Sequence, residues 1–325
     1  MKYDLISILG CTATGKTKLA VQLANHFNGE IISADSRQVY KRMNIGTGKD
    51  LSEYTINGKS IPYHLIDVID PKKEFDLYKF QQLFYKSFED IKSRNKLPFL
   101  VGGTGMYLSS ILQNYTLNKA EFEKVNQDLS ALSDEKVKSI LFKLNPTLHN
   151  TTDLTDRERI IKAIAVSKSQ SHFDPDLLEE KSETNKVKDF SVSSLLRNDK
   201  SRTFSSLTIG VNLPRDEIKK RITFRLKKRL NEEGMIEEVN SLIDSGVSFD
   251  KMIFFGLEYK FIAKYLKGEL NKNDMFQKLN SAIHSFAKRQ MTWFRKMEKE
   301  GVLINWIDGP DFNKAKELIE NNFPP

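Results

Sequence analysis

The stretch Asp4-Leu5-Ile6-Ser7-Ile8-Leu9-Gly10-Cys11-Thr12-Ala13-Thr14-Gly15-Lys16-Thr17 decides how the rest of the chain is read. A short apolar run enters G-x-x-x-x-G-K-T, and Leu19, Ala20, Leu23, Ala24 and Phe27 follow at helical spacing. Strand, phosphate loop and helix arrive in the order a P-loop requires. Glycines let successive backbone N–H groups turn toward an anion, the helix N-terminus adds partial positive charge, and Lys16 adds a full one. Thr17 offers a hydroxyl to a magnesium ion (Mg2+) bridging phosphate oxygens. Gly10, Cys11, Thr12, Ala13, Thr14, Gly15, Lys16 and Thr17 are thus the expected anion cradle. Whose phosphates it holds is not written in the loop.

Working outward, the chain has 325 residues, enough for a core domain and a smaller one. The 39% hydrophobic content is spread without the long apolar runs a membrane span needs, so no membrane partner is expected. The first apolar run passes straight into the phosphate loop, which suits a buried strand and not a signal peptide. A net charge of +8 is common among nucleic-acid binders, although a charge run is often only a solvated face. Cys11 is the one cysteine, which excludes an intrachain disulfide and a cysteine-based zinc site and fits a reducing, cytoplasmic setting.

Glu30 to Ala34 reads as a second strand, followed by Asp35-Ser36-Arg37-Gln38. Ligands of open α/β sheets gather beyond the carboxyl ends of the strands, so Asp35 is expected near the loop. It is a candidate base or a turn-capping aspartate. Tyr63 to Ile69 reads as a third strand, with His64 as a hydrogen-bonded structural histidine because no Ser or Cys nucleophile accompanies it. Phe75 to Ile91 has helical periodicity, and Leu97 to Val101 is a fourth strand entering Gly102-Gly103-Thr104-Gly105.

From about Thr116 the alternation of strand and helix stops. Helices are expected through Phe122 to Leu132, through Val137 to Leu144 and through Ile160 to Val166, the last opened by the capping box Thr155-Asp156-Arg157-Glu158. Ser167 to Ser206, with ten serines, reads as a loop or linker. Leu207 to Val211 returns to strand before Pro214 opens a helix. Between Arg215 and Leu230 lie eight basic residues. Ile218, Ile222, Leu226 and Leu230 form a packing stripe, and Arg221, Arg225 and Arg229 a parallel one suited to a diphosphate, an RNA backbone or water. A last amphipathic helix runs from about Asp274 to Met297, with Trp293 and Phe294 expected in the core among Lys288, Arg289 and Arg295.

Taken together these stretches resemble the tRNA dimethylallyltransferase (tRNA isopentenyltransferase, IPP transferase) family. The matching segments are Gly10 to Thr17, Ser33 to Tyr40, Met43-Asn44-Ile45-Gly46-Thr47, His64 to Asp67, Val101 to Tyr107, the Arg159 to Val166 helix, and Ala287 to Arg295, spanning almost the whole chain in order. The resemblance implies an α/β fold, a P-loop-kinase-like parallel sheet flanked by helices, with an inserted all-helical tRNA-binding domain. The core falls to residues 1–115 and 200–325, the insertion and polar linker to 116–199. It implies transfer of a dimethylallyl group from its diphosphate to N6 of the adenosine 3′-adjacent to the anticodon, with a tRNA anticodon stem-loop as partner and a monomer as the working unit. By matching position, Asp35, Thr17 and Arg225 are catalytic. Asp35, Ser36, Arg37, Gln38 and Thr104 meet the target region, and Glu158, Arg159, Ile160, Ile161 and Lys162 contact RNA.

This chain departs from the family pattern at several points. Cys11 and Thr14 stand where Pro and Ser are usual, Ala165 where Glu is common, and Lys162 where Arg is. Phe255-Gly256-Leu257-Glu258-Tyr259-Lys260 matches the family's Gly-Tyr segment only loosely, so no contacts are carried there. One residue inserted near Glu232 or Glu233 leaves Arg221 as a competitor of Arg225. Two other readings share the loop: a small-molecule P-loop kinase, which leaves the insertion and basic helices without a role, and an isopentenyltransferase acting on free adenine nucleotides.

Overall fold

The computed structural model describes residues 3–117, 119–144, 154, 156–170 and 204–322. The chain divides into two compact units, Met1–Gln113 with Thr203–Pro325, and Asn114–Arg202.

The first unit begins with strand β1 (Leu5–Gly10), helix α1 (Lys16–His26) and β2 (Gly29–Ala34). A short 3₁₀ turn (Leu51–Tyr54) leads to a hairpin of β3 (Thr55–Ile56) and β4 (Lys59–Ser60) and then to β5 (Tyr63–His64). After α2 (Leu77–Ser93), β6 (Leu97–Gly102) and α3 (Gly105–Leu112), the chain enters the second unit with α4 (Phe122–Leu129), α5 (Asp134–Leu144) and α6 (Arg157–Gln170). It returns as β7 (Ser206–Asn212), α7 (Arg215–Asn231), α8 (Met235–Asp244), α9 (Phe249–Phe255), α10 (Leu257–Leu266), α11 (Lys272–Lys299), β8 (Ile304–Asp308) and α12 (Phe312–Glu320).

The main sheet is parallel throughout, in the order β5-β2-β6-β1-β7-β8. Register aligns the carboxyl ends: Ala34 of β2 and Leu9 of β1 both pair with Gly102 of β6, and Gly10 pairs with Val211 of β7. Whatever follows these strands therefore emerges along one edge. The four inner strands β2, β6, β1 and β7 are buried on both faces, which is why their sequences read as nearly continuous apolar runs. Leu5 and Leu9 join a core with Phe80, Phe84, Ile222 and Phe294, while Ile6 and Ile8 face Leu19, Leu23 and Ile319. The second unit has its own core of Val125, Leu129, Val137, Leu141, Ile160 and Ile164.

Several expectations change. The third strand is two residues long, because Leu65 (φ 63°) and Asp67 (φ 56°) leave the extended region. Asp67 instead accepts from the buried Lys49 ammonium at 2.5 Å. Helix α6 opens with Asp156, whose carboxylate accepts from the Glu158 N–H at 2.9 Å. That makes Asp156 the N-cap and moves Glu158 off the position a capping box needs; Thr155 lies outside the described residues. Most of the serine-rich segment also lies outside them, but α6 continues through Gln170 at its start. The β3–β4 hairpin, β8 and α12 were not anticipated. His64 Nε2 lies 2.8 Å from Glu30, a carboxylate that Arg94 also holds. Phe294 is buried, and Trp293 donates its indole N–H to Ser109 at 2.8 Å.

Cys11 ends buried beneath α11, its thiol donating to the Ala287 carbonyl at 3.3 Å. Burial pushes the thiol up to about 11. Only thiolate reacts with alkylating agents, so native protein at pH 8 is expected to react with iodoacetamide about 100-fold more slowly than a free cysteine of pKa about 8.5. Mass spectrometry of native against urea-unfolded protein checks this.

Candidate active site

The phosphate loop turns through two left-handed residues, Ala13 (φ 67°) and Gly15 (φ 86°). Glycine adopts this freely, whereas Ala13 does so at a cost of about 1 kcal/mol. Thr14 Oγ1 donates to the Cys11 carbonyl at 2.9 Å, and Lys16 Nζ reaches the same oxygen at 3.4 Å. Cys11 and Thr14 are buried, and Gly10 packs on Val211. These three support the loop from beneath. Thr12, Ala13, Gly15, Lys16 and Thr17 line a cavity of about 540 Å³. The Thr12 N–H donates to Gln290 Oε1 at 2.9 Å, so this amide, expected to face an anion, is engaged by α11 instead.

Asp35, at the end of β2, lines the same cavity. Its Oδ1 accepts from the N–H groups of Arg37 at 2.9 Å and Gln38 at 3.3 Å, so the turn-capping role is filled without removing the residue from the cavity. Ser36 N–H donates to Thr104 Oγ1 at 3.1 Å, and the Thr104 N–H to the Ala34 carbonyl at 3.2 Å, joining the turns after β2 and β6. Gln38 is fixed from both ends of its amide, accepting from Ser33 Oγ and donating to the Gly48 carbonyl, each at 3.1 Å.

Helix α7 adds Arg225 and Arg229 to the cavity lining, and its arginine stripe divides into three environments. Arg225 donates to Thr12 Oγ1 inside the cavity. Burial, then the neighbouring charge of Arg229, lowers its pKa to about 10, which leaves it cationic at neutral pH. Arg229 is 5% exposed and pairs with Asp50 at 3.0 Å, packed so closely on Gly48 that a side chain there would collide with it. Arg221 pairs with Glu217 at 2.7 Å and is not among the residues lining the cavity. Burial lowers the pKa of Lys16, with the Asp35 carboxylate opposing the shift. Burial raises Glu258 and Glu53, which share the cavity with Arg225.

The structure thus brings Asp35 to Gln38, Thr104 and Arg225 together with the loop. Glu158 to Lys162 lie in the helical unit. There the side chains of Ile160 and Ile161 are 1% and 2% exposed and belong to that unit's core. Glu158 and Arg159 are exposed, and Lys162 pairs with Glu158 at 2.6 Å.

Sequence reading did not single out Gln290, Arg229's partner Asp50, Glu53 or Glu258. Gln290 carries a usable signal: it interrupts the buried stripe Met275, Leu279, Ile283, Ala287, Phe294 and Met297 of α11. A polar residue at a core position must have buried partners. Asp50 and Arg229 lie too far apart in sequence for any local pattern to pair them.

A model described as IPP transferase matches residues 38–297, and one described as isopentenyl transferase matches residues 3–61. The chain is 46% identical over 328 residues to tRNA dimethylallyltransferase 1 of Geotalea uraniireducens (strain Rf4), covering 100% of both chains. It is 48% identical to tRNA dimethylallyltransferase 2 of Citrifermentans bemidjiense, over 98% of this chain and 96% of that one. The crystal structure of the full-length tRNA isopentenylpyrophosphate transferase from Bacillus halodurans superimposes with a TM-score of 0.64 at 29% identity, covering 98% of this chain and 94% of that one. With a matched P-loop, a matched DSRQ turn and full-length relatives at this identity, the chain belongs to the IPP transferase family.

Proposed function

We propose that this protein transfers a dimethylallyl group from dimethylallyl diphosphate to N6 of the adenosine 3′-adjacent to the anticodon of a tRNA, releasing pyrophosphate. The observation that carries this reading is the meeting of Lys16, Thr17, Asp35 and Arg225 in one cavity, in a chain whose relatives are named tRNA dimethylallyltransferases. All four groups belong to one chain, so the proposed site needs no residue from a second copy, and a monomer is the proposed working unit.

In the reaction the adenosine amine attacks the allylic carbon, the carbon–oxygen bond to diphosphate breaks, and one amine proton is lost. Charge accumulates on the leaving diphosphate, where stabilisation is most effective in a water-excluded site. Lys16 and Arg225 are placed to receive it, and Arg225 presents a planar fork to two phosphate oxygens. An exocyclic amine becomes strongly acidic as its nitrogen bonds carbon, so an ordinary aspartate is basic enough to take the proton. Asp35 is the proposed acceptor, oriented by the amides of Arg37 and Gln38. The target base must leave the loop stack to reach it.

Among the described residues there is no cluster of three or more His, Cys, Asp or Glu that would hold a metal. Magnesium on a diphosphate takes most of its ligands from phosphate oxygens and water, with one or two from protein. The Thr17 hydroxyl fits that need, and Mg2+ held there would neutralise leaving-group charge. Among the described residues no helix is long and apolar enough to cross a membrane. The exposed Glu158 and Arg159, with Lys162, are the proposed RNA contacts of the helical unit.

Purified protein with Mg2+ and dimethylallyl diphosphate is expected to modify unmodified tRNA and not AMP. Absence of transfer alongside ATP-dependent phosphorylation of a metabolite would sink the reading. Asp35→Asn keeps an acceptor for the two turn amides but no base, so kcat should fall by about 100- to 10,000-fold while tRNA still binds. If binding is lost and bound complex still turns over, Asp35 is not the base.

Arg225→Lys retains charge and loses the fork, and should raise KM for the diphosphate and lower kcat about tenfold. Arg221→Lys, at a residue paired outside the cavity, is the steady-state control. Finally, log affinity for tRNA should fall linearly with log salt, since phosphate contacts release counterions. A flat response in a binding titration contradicts the proposed RNA contacts.

A further inference from the structure

Just before the loosely matching segment Phe255 to Lys260, helix α9 carries an aromatic ring, Phe254, that the proposed chemistry does not use. Ile253 and Phe255 line the cavity, and Phe255 is 2% exposed. Phe254, between them on α9, is 53% exposed and lies against Arg37, which lines the cavity. Its own carbonyl accepts from Arg37 Nη2 at 3.2 Å, and the Arg37 guanidinium carbon lies 5.3 Å from the ring centroid. Lys251 Nζ lies 4.9 Å from the same centroid. The backbone of Arg37 is in turn held by Asp35. A ring, a planar cation and a flexible cation are therefore fixed next to the proposed proton acceptor.

We propose that Phe254, backed by Arg37, is a stacking platform for a nucleobase adjacent to the reacting adenosine. The inference rests on the reading of RNA as acceptor and goes beyond it by assigning a residue that selects RNA over a free nucleotide. Unstacked bases of RNA loops are held on aromatic rings and on guanidinium planes, and both surfaces are present here. When one nucleotide is drawn into the cavity, its neighbour loses a stacking partner and needs a replacement nearby. Lys251 suits the accompanying phosphate, because an ammonium on a flexible stem follows a backbone oxygen while the ring takes the base. A cationic surface around an exposed aromatic ring complements a planar base on an anionic backbone better than an apolar peptide side chain, which favours RNA as the occupant.

The test uses full-length protein and an unmodified anticodon stem-loop RNA with a terminal fluorophore. Phe254→Ala and Phe254→Leu are expected to weaken RNA binding by about 5- to 100-fold, the range of one base–aromatic stack. Both should raise KM for the RNA and leave KM for dimethylallyl diphosphate unchanged. Phe254→Trp, with a larger π face, should bind at least as well as the parent. Leucine keeps apolar bulk without a π face, so Phe254→Leu binding like the parent overturns the platform. Parent-like affinity of Phe254→Ala does the same. Melting temperatures establish that each variant is folded, which an exposed position favours. Parent protein that neither binds nor modifies the RNA overturns the functional reading and the platform together, whereas a working parent with indifferent variants overturns the platform alone.

Discussion

The side-chain amide of Gln290 joins the two sides of the candidate cavity. Its oxygen accepts from the Thr12 N–H and its nitrogen donates to the Gly103 carbonyl, each at 2.9 Å, at a residue only 6% exposed. Either backbone group left unpaired there would cost about 1–3 kcal/mol, so the bridge sets the separation of the phosphate loop from the turn after β6. Thr104 carries that position on to Ser36, and the Asp35 turn follows. Helix α11 is the frame behind these contacts. Below Gln290 the Ala287 carbonyl takes the Cys11 thiol, and above it Trp293 bonds to Ser109. A closely packed interior allows no slack along such a chain of contacts.

The cavity is lined by charges of both signs. Burial lowers the pKa of Lys16 and Arg225 and raises that of Glu258, the signs expected for charges removed from water. Two cations that burial disfavours would gain from the proposed diphosphate, which adds negative charge to that of the neighbouring carboxylates. Arg229 is already satisfied by Asp50 and holds the Gly48 turn in place. In the proposed reaction the P-loop holds the leaving group and the nucleophile comes from the Asp35 side.

Much of this was legible because it is local. Gly10 to Thr17 forms its turn and opens its helix from contiguous residues, and Asp35 to Gln38 closes on itself through one carboxylate. Their approach was inferable from the rule that parallel strands release ligand-binding turns at one edge. The two-residue β5 was not legible, because β-rich composition after Tyr63 says nothing of the buried Lys49 that draws Asp67 out of extension. Strand β8 and helix α12 escaped notice since Ile304–Asp308 is as short and mixed as many loops. A matched segment such as Glu158 to Lys162 likewise does not distinguish a residue's inward face from its outward one, and the structure turns Ile160 and Ile161 inward.

By itself, then, the sequence determined an anion-binding loop between strand and helix, a carboxylate following the next strand, and a basic α7 with one apolar stripe. These depend on backbone geometry and on periodicities of a few residues. Only the tertiary structure decided how three aligned arginines divide, Arg225 and Arg229 lining the cavity and Arg221 lying outside it. Ile218, Ile222, Leu226 and Leu230 dock α7 against the core and thereby set its rotation. That rotation gives Arg225 to Thr12, Arg229 to Asp50 and Arg221 to Glu217. Side chains four residues apart are equivalent on an isolated helix, and it takes packing against the rest of the protein to make them different.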